Sequence, residues 1–200
     1  IDQADKTASV PDARVILYET QPLASYAFTS DNPTAPLFGK STSAPGGVNA
    51  PYVGDAHPLA AMARDLHDEY ERAAASSPGG NRVEVALAGD AWVSAIDQGV
   101  AERNPYRAHE PAGEVDLWDS NPLDACCTTP IGYHPGTYGA YLSALVLFAK
   151  ITGVTPETLH AEFDPTSANS AAVALGISPA VARALATAGF QTVQAGSTVP

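Results

Sequence analysis

A histidine, His134, stands immediately before a run of apolar residues at helical spacing that extends from Tyr138 to Ala149. The following Pro135 restricts the backbone of His134 to extended conformations, and Gly136 permits a sharp turn. A histidine held at a helix entrance is suited to catalysis, because an imidazole gains and loses a proton near physiological pH. His134 is therefore the first candidate for a catalytic residue. The alternative is a role limited to hydrogen bonding where the helix begins.

Two adjacent cysteines, Cys126 and Cys127, lie in the loop before His134. They can close a strained vicinal disulfide, pair with cysteines of another segment, or remain thiols. Oxidation is expected in an exported protein. A thiol nucleophile and a metal site shared with His134 are weaker alternatives, since no cationic group and no further ligand spacing supports them. We expect both cysteines to be oxidised and structural.

The elements that must position these groups begin with the run from Arg14 to Tyr18, which is continuous, rich in β-formers and typical of a central parallel strand covered on both faces. A helical pattern from Leu59 to Ala73 follows, and then a second strand from Val83 to Ala88. Strand, helix, strand predicts a βαβ crossover and an α/β fold. A further amphipathic helix is expected after Gly89-Asp90, with Asp90 as its cap.

The whole chain, residues 1–200, is predicted to form one domain, and it contains a long loop at 20–56. This loop leaves the carboxyl end of the first strand, where open α/β sheets bind ligands, so it is expected to form a wall of a substrate site. A surface excursion is the alternative. Thr155-Pro156 and Ser178-Pro179 predict two short helices, with Gly176 and Gly189 as stops, and 191–200 is read as a flexible tail.

The composition and charge of the chain limit the classes of molecule that it is expected to bind. The formal net charge is −12 with only three lysines, Lys6, Lys40 and Lys150. Such a charge repels phosphate backbones and anionic lipid, so nucleic-acid and membrane-surface roles are disfavoured and neutral substrates are favoured. The acidic, alanine-rich balance is typical of exported proteins, and we expect a secreted or periplasmic location.

Four segments together resemble one family of enzymes. They are Arg14 to Thr20, Gly89-Asp90-Ala91-Trp92, Val115-Asp116-Leu117-Trp118 and the His134-Pro135-Gly136 segment. From about Ala13 to about Gly189 the chain resembles the C-terminal half of secreted bacterial SGNH (GDSL-type) hydrolases, whose catalytic histidine precedes the last core helix. The resemblance implies a three-layer α/β fold in which helices flank a parallel sheet, and it implies that this fold is incomplete in this chain. It requires neither a metal nor an organic cofactor.

The resemblance also implies roles for individual residues. His134 would be the general base of an ester hydrolase, and Tyr133, Trp118 and Glu19 would contact the substrate. Glu19, at the end of the first strand, could instead pair with a cation.

The chain departs from the family pattern at the residue that orients the histidine. The family has an aspartate three residues before the histidine, and that position is Ile131 here. An apolar side chain cannot accept a hydrogen bond from the imidazole. Asp119 and Asp124, in the preceding loop, could fold back to accept it. Asp124 is slightly favoured, because Pro122 and the cysteine pair would shape a turn around it. Either could instead be an ordinary solvated carboxylate.

The motifs that carry the nucleophile are also missing. The sequence contains no Gly-Asp-Ser or Gly-Asn-Ser after a first strand and no Gly-x-Ser-x-Gly elbow. The chain begins with Ile1, which suggests a processed product or a fragment. The expected function is an ester or polyester hydrolase whose serine lies on a missing or separate segment, such as a second polypeptide with the N-terminal half. The alternative is a non-catalytic binding or structural module on a degenerate hydrolase scaffold.

Overall fold

The computed structural model describes residues 14–28, 52, 55–77, 83–106, 113–119, 132–153, 167 and 170–196. Its elements, in chain order, are β1 (Val15–Tyr18), α1 (Ala24–Ala27), α2 (Pro58–Ala75), β2 (Val83–Ala86), α3 (Ala88–Asp97), α4 (Thr137–Thr152), α5 (Ala171–Ala174) and α6 (Pro179–Ala195). The chain is thus a mixed α/β protein. No described helix combines the length and the apolar character that a membrane span requires.

The two strands pair in parallel and in the order that the sequence predicts. Val15 lies opposite Val83, and Tyr18 lies opposite Ala86. Helix α2 connects them, so the βαβ unit is confirmed. Helices α2 and α4 pack on β2, which is mostly buried, whereas all four residues of β1 are only partly buried. Among the described residues β1 pairs with β2 alone, so the expected central position, with both faces covered, is not seen there.

Three helices form most of the core. Helices α3, α4 and α6 pack against one another, and α2 packs on α3. The tightest approach is at Gly139 in the first turn of α4, where an added Cβ would overlap both the Leu117 carbonyl oxygen and the Trp92 indole. The indole N–H of Trp92 donates to Ser143 Oγ, 3.0 Å away, which joins α3 to α4. Glycine at 139 is therefore required by packing rather than by backbone conformation.

Several predicted ends of elements need correction. Ser178 caps α6 as predicted, accepting from the Val181 amide, but the helix does not stop at Gly189 and continues to Ala195, into the region assigned to the tail. Gly189 is buried against Leu142 and Val146, and a Cβ would lie 3.2 Å from Leu142 Cδ1. It is a small residue at a helix crossing, which the sequence cannot distinguish from a stop.

Other corrections concern the start of α3, the apolar face of α2 and the long loop. Leu87, not Asp90, is the N-cap of α3. On α2, Ala73 is predicted on the apolar face but is exposed, and Ala74 is buried instead. The 20–56 loop contains the one-turn helix α1, and residues 29–51 lie outside the described residues, as do Thr155 and Pro156. Gly176 ends α5 with a positive φ of 71°, as predicted.

One surface network ties the strands to α4. Glu84 of β2 lies 2.7 Å from the Arg14 guanidinium and 3.0 Å from the Lys150 ammonium. Burial opposes ionisation of Glu84, but the two cations outweigh it, and the pKa of Glu84 is lowered. The network therefore stabilises the fold while Glu84 is ionised.

We predict that Gly139→Ala lowers the free energy of unfolding by about 1–3 kcal/mol, the usual cost of overpacking a core, although alanine is the better helix former. Urea unfolding followed by tryptophan fluorescence measures it. Ala144→Leu, on the exposed face of the same helix, is the control and should change stability by less than about 0.5 kcal/mol. Equal stability of Gly139→Ala and the native chain would contradict the packing shown by α4.

We predict that Glu84→Gln destabilises the protein at pH 7 by no more than about 1 kcal/mol, because the pairs are partly exposed. Since the folded pKa of Glu84 lies below its unfolded value, the contribution is complete above the unfolded pKa and is lost as pH falls through the folded pKa. The free energies of unfolding of the native chain and of Glu84→Gln, measured as a function of pH, should therefore converge in acid. Glu69→Gln, which removes an exposed pair with Arg72, serves as the control, and a gap that persisted unchanged in acid would exclude this account.

Candidate functional site

His134 lies on a short segment that is fixed on both sides by backbone hydrogen bonds. Its carbonyl accepts from the Asp119 amide at 2.9 Å, and the Gly136 amide donates to the Leu117 carbonyl at 2.8 Å. Between these bonds Trp118 and Pro135 form an isolated antiparallel bridge. The imidazole itself is exposed. The backbone is thus held while the ring can reach a ligand.

The turn into α4 depends on a second close approach. Gly136 is the N-cap of α4, and an added Cβ would lie 2.5 Å from the Trp118 carbonyl oxygen. Helix α4 then begins at Thr137, one residue before the predicted apolar run that starts at Tyr138. His134 therefore lies three residues before the helix, on a segment fixed by backbone hydrogen bonds.

The segment that leaves β1 holds this loop from the other side. The side-chain amide of Gln21 donates through Nε2 to the Tyr133 carbonyl at 3.3 Å, and the Trp118 indole N–H donates to the Pro22 carbonyl at 3.1 Å. His134 consequently lies near the carboxyl end of β1, the edge at which parallel sheets bind ligands. The Tyr133 ring stands edge-on to the His134 ring, with 4.9 Å between centroids.

Of the two aspartates proposed to orient His134, the structure describes only Asp119. Asp119 is partly buried, and its backbone amide donates to the His134 carbonyl, so the two residues are neighbours. Asp119 also interacts with another part of the protein. Asp124, Ile131, Cys126 and Cys127 lie outside the described residues. The choice between the two aspartates and the state of the cysteines stay predictions.

Trp118 does not lie where a substrate-binding residue would. It is 1% exposed and packs edge-on against Trp92, with ring centroids 5.1 Å apart. Its polar N–H is already paired with Pro22. In this structure Trp118 is an internal anchor for the His134 segment rather than a surface for substrate.

Glu19 is also internal, because its side chain is fully buried between α2 and α3. Its Oε2 accepts from the Asp90 amide at 3.4 Å, and its Oε1 lies 3.8 Å from Nδ1 of His67. That same Nδ1 is 2.9 Å from Oδ2 of Asp90. A strand end, the middle of α2 and the first turn of α3 thus bring two carboxylates and an imidazole together.

The electrostatics of this Glu19–His67–Asp90 cluster are unusual for carboxylates. Burial, followed by the charge of Asp90, raises the pKa of Glu19 to about 8, although amides at the start of α3 favour its ionised form. Burial also raises the pKa of Asp90, against the opposing effect of His67. Glu71, one turn beyond His67, adds further negative potential at both carboxylates. The cluster is short of positive charge.

The backbone makes room for the buried carboxylate. At Gly89 an added Cβ would lie 2.7 Å from the Thr20 carbonyl oxygen and 3.2 Å from Cδ of Glu19. Next to the cluster is an open cleft of about 810 Å³, whose lining includes His67, Asp90 and Arg64. A small ligand could therefore approach the cluster from the α2–α3 side.

Comparison of the chain with protein-family models, with curated proteins and with solved structures finds no match. The site must therefore be interpreted from its own geometry.

The sequence does not mark two of the three cluster residues as functional candidates. It predicts no role for His67 and only a capping role for Asp90, while Glu19 is expected either to contact the substrate or to pair with a cation. One signal was present, because His67 falls four and eight residues after Ala63 and Leu59, on the buried face of α2. A histidine inside an apolar stripe needs a polar partner. In the described part of the chain, these three residues are the group able to hold a metal ion, with their donor atoms all within 4.8 Å of one another.

We predict that Trp118→Phe lowers the free energy of unfolding by about 1–3 kcal/mol, because the Pro22 carbonyl loses its buried donor. It should also speed hydrogen exchange of the Asp119 amide, which reports on the His134 segment. Trp92→Phe is the matched control, since it breaks the Ser143 bond but leaves the bond to Pro22. Hydrogen exchange followed by mass spectrometry over 113–119 and 132–140 tests this, and similar local exchange in the two variants would refute the anchoring role of Trp118.

Proposed function

We propose that the chain is the base-carrying part of an SGNH-like ester or polyester hydrolase, with His134 as general base. The observation that carries this proposal is an exposed imidazole on a backbone that is locked at the carboxyl end of β1. A general base must be positioned before substrate arrives, and its ring must be reachable. His134 meets both conditions, and the βαβ unit is compatible with a three-layer SGNH-like sheet.

In this mechanism His134 accepts the proton of a serine hydroxyl as that oxygen attacks the ester carbonyl. It then returns the proton to the departing alcohol, and in the second half of the cycle it activates water in the same way. The serine and the oxyanion donors belong to a missing or separate segment, such as a second polypeptide. Asp119 or Asp124 orients the ring by accepting from its other nitrogen.

The charge of the chain indicates the class of substrate. A formal net charge of −12 disfavours anionic substrates, so we propose a neutral ester, a carbohydrate ester or a polyester. These are typical substrates outside the cell, which agrees with a secreted or periplasmic enzyme. The hydrolytic step requires no metal or organic cofactor.

A non-catalytic binding module is the second candidate. It is favoured by Ile131, which replaces the orienting aspartate, and by the burial of Trp118 and Glu19, which removes two expected substrate contacts. A module would keep the scaffold and lose the chemistry. The two candidates differ in one measurable property, an activated serine.

We predict that His134→Ala slows hydrolysis of p-nitrophenyl butyrate by at least about 10³-fold without unfolding the protein, because triad members act as a unit. The assay is run on the chain and on any assembly that co-purifies with it, and circular dichroism monitors the fold. His57→Ala is the control, since His57 is equally exposed but lies at the start of α2. Labelling of the same preparations with a fluorophosphonate probe should disappear in His134→Ala only.

Hydrolysis and labelling at native rates in His134→Ala would show that His134 is a helix-entry residue. No labelling in any native preparation would favour the module. The orienting carboxylate is found by comparing Asp119→Asn with Asp124→Asn, of which only the true partner should cost about 10⁴-fold in rate.

A further inference from the structure

We propose that Glu19, His67 and Asp90 form a binding site for one divalent cation of the zinc or manganese class. The site is separate from the proposed role of His134 and does not depend on it. It also departs from the sequence-based expectation that the chain holds no metal.

The first argument is the spacing of the donor atoms. Nδ1 of His67 lies 2.9 Å from Oδ2 of Asp90 and 3.8 Å from Oε1 of Glu19. Zinc bonds nitrogen and carboxylate oxygen at about 2.0–2.2 Å, so ligands that share one ion lie about 3–4 Å apart. The 3.8 Å separation falls in that range, and the 2.9 Å separation lies just below it. Because all the donor atoms lie within 4.8 Å of one another, side-chain shifts would bring the three of them around one cation.

The second argument is that the atoms that converge here make no well-aligned hydrogen bond within the part of the chain that the structure describes. Oε1 of Glu19, Nδ1 of His67 and Oδ2 of Asp90 are all buried, and none makes a hydrogen bond to the described residues. The 2.9 Å approach of Nδ1 to Oδ2 has the separation of an ion pair without the alignment of a hydrogen bond. Buried polar atoms are almost always satisfied, and exceptions indicate a role such as ion binding. The Glu19 side chain, with no exposed surface, is the strongest exception.

The third argument is charge. Glu19, Asp90 and the nearby Glu71 place up to three negative charges around one imidazole. Within the described ranges no lysine or arginine forms an ion pair with any of them. A divalent cation bound by a neutral imidazole and two carboxylates would offset this charge. Burial first, and then the neighbouring negative charge, raises the pKa of both carboxyls, so their ionised forms are poorly compensated without a cation.

The donor set selects the class of ion. Imidazole suits zinc and other first-row metals, whereas magnesium and calcium prefer oxygen alone, so one nitrogen with two carboxylates favours Zn²⁺ or Mn²⁺. The adjoining cleft would let water fill the remaining coordination positions. The competing arrangement is a protonated His67 held between the two carboxylates, which would bind no metal.

The test is calorimetric titration of the full chain, without an affinity tag and after treatment with a chelator, with Zn²⁺ and then with Mn²⁺. We expect one ion per chain and a rise in melting temperature with ion concentration, as required of a ligand that binds the folded state. His67→Gln and Asp90→Asn should weaken binding more than about 100-fold, beyond the effect usual for residues outside the coordination sphere. His57→Gln and Glu69→Gln, which change an exposed histidine and an exposed glutamate, should bind as the native chain does.

Cobalt provides a check that is independent of affinity. Co²⁺ at the site should give a visible absorption band with the native chain that is lost in His67→Gln. The proposal is overturned if the native chain neither binds Zn²⁺ nor Mn²⁺ and shows no thermal shift, or if His67→Gln binds as tightly as the native chain. Because the native chain alone decides the first outcome, the result stands even if a variant fails to fold. Ester hydrolysis is not used as a readout, so failure here leaves the role of His134 intact.

Discussion

The edge-to-face pair of Trp92 and Trp118 is the contact on which the positions of the other elements depend. Both rings are almost fully buried, and each indole N–H is used to reach a different part of the chain. Trp92 donates to Ser143 and thereby joins α3 to α4, while Trp118 donates to the Pro22 carbonyl and joins the 113–119 segment to the exit of β1. Aromatic pairs of this geometry add about 0.5–1.5 kcal/mol to the effect of burial alone. The pair therefore fixes, through packing and two polar contacts, the frame in which His134 stands.

The parts of the fold that were predicted correctly are those determined locally. An apolar β-rich run gave β1, a helical period gave α2, and a proline followed by glycine gave the entry to α4. The errors arose where distant residues decide the structure. Gly189 has the appearance of a helix stop, but it is buried because α4 crosses α6 there. Trp118 is a residue type that is common in binding sites, but here its ring lies in the core, where its indole N–H donates to the Pro22 carbonyl.

The proximity of Glu19, His67 and Asp90 could not be predicted from the sequence for the same reason, although the position of His67 on an apolar helix face indicates that it needs a polar partner. The members of the cluster come from a strand end, a helix interior and a helix start, with no short spacing that connects them. Their proximity follows from the parallel pairing of β1 with β2, which places the exit of β1 beside the first turn of α3 and beneath α2. Only the absence of a side chain at Gly89 lets the carboxylate come so close. The topology, rather than a motif, creates the cluster.

The two proposed sites lie at opposite sides of one short connection. Glu19 faces the cluster, whereas Gln21 and Pro22, two and three residues later, hold the segment that carries His134. A ligand that fixes the Glu19 carboxylate would also restrict the backbone of Thr20 and Gln21, because so few rotatable bonds separate them. The link between the buried cluster and the segment that carries His134 is therefore a few residues of backbone together with the hydrogen bonds at Gln21 and Pro22.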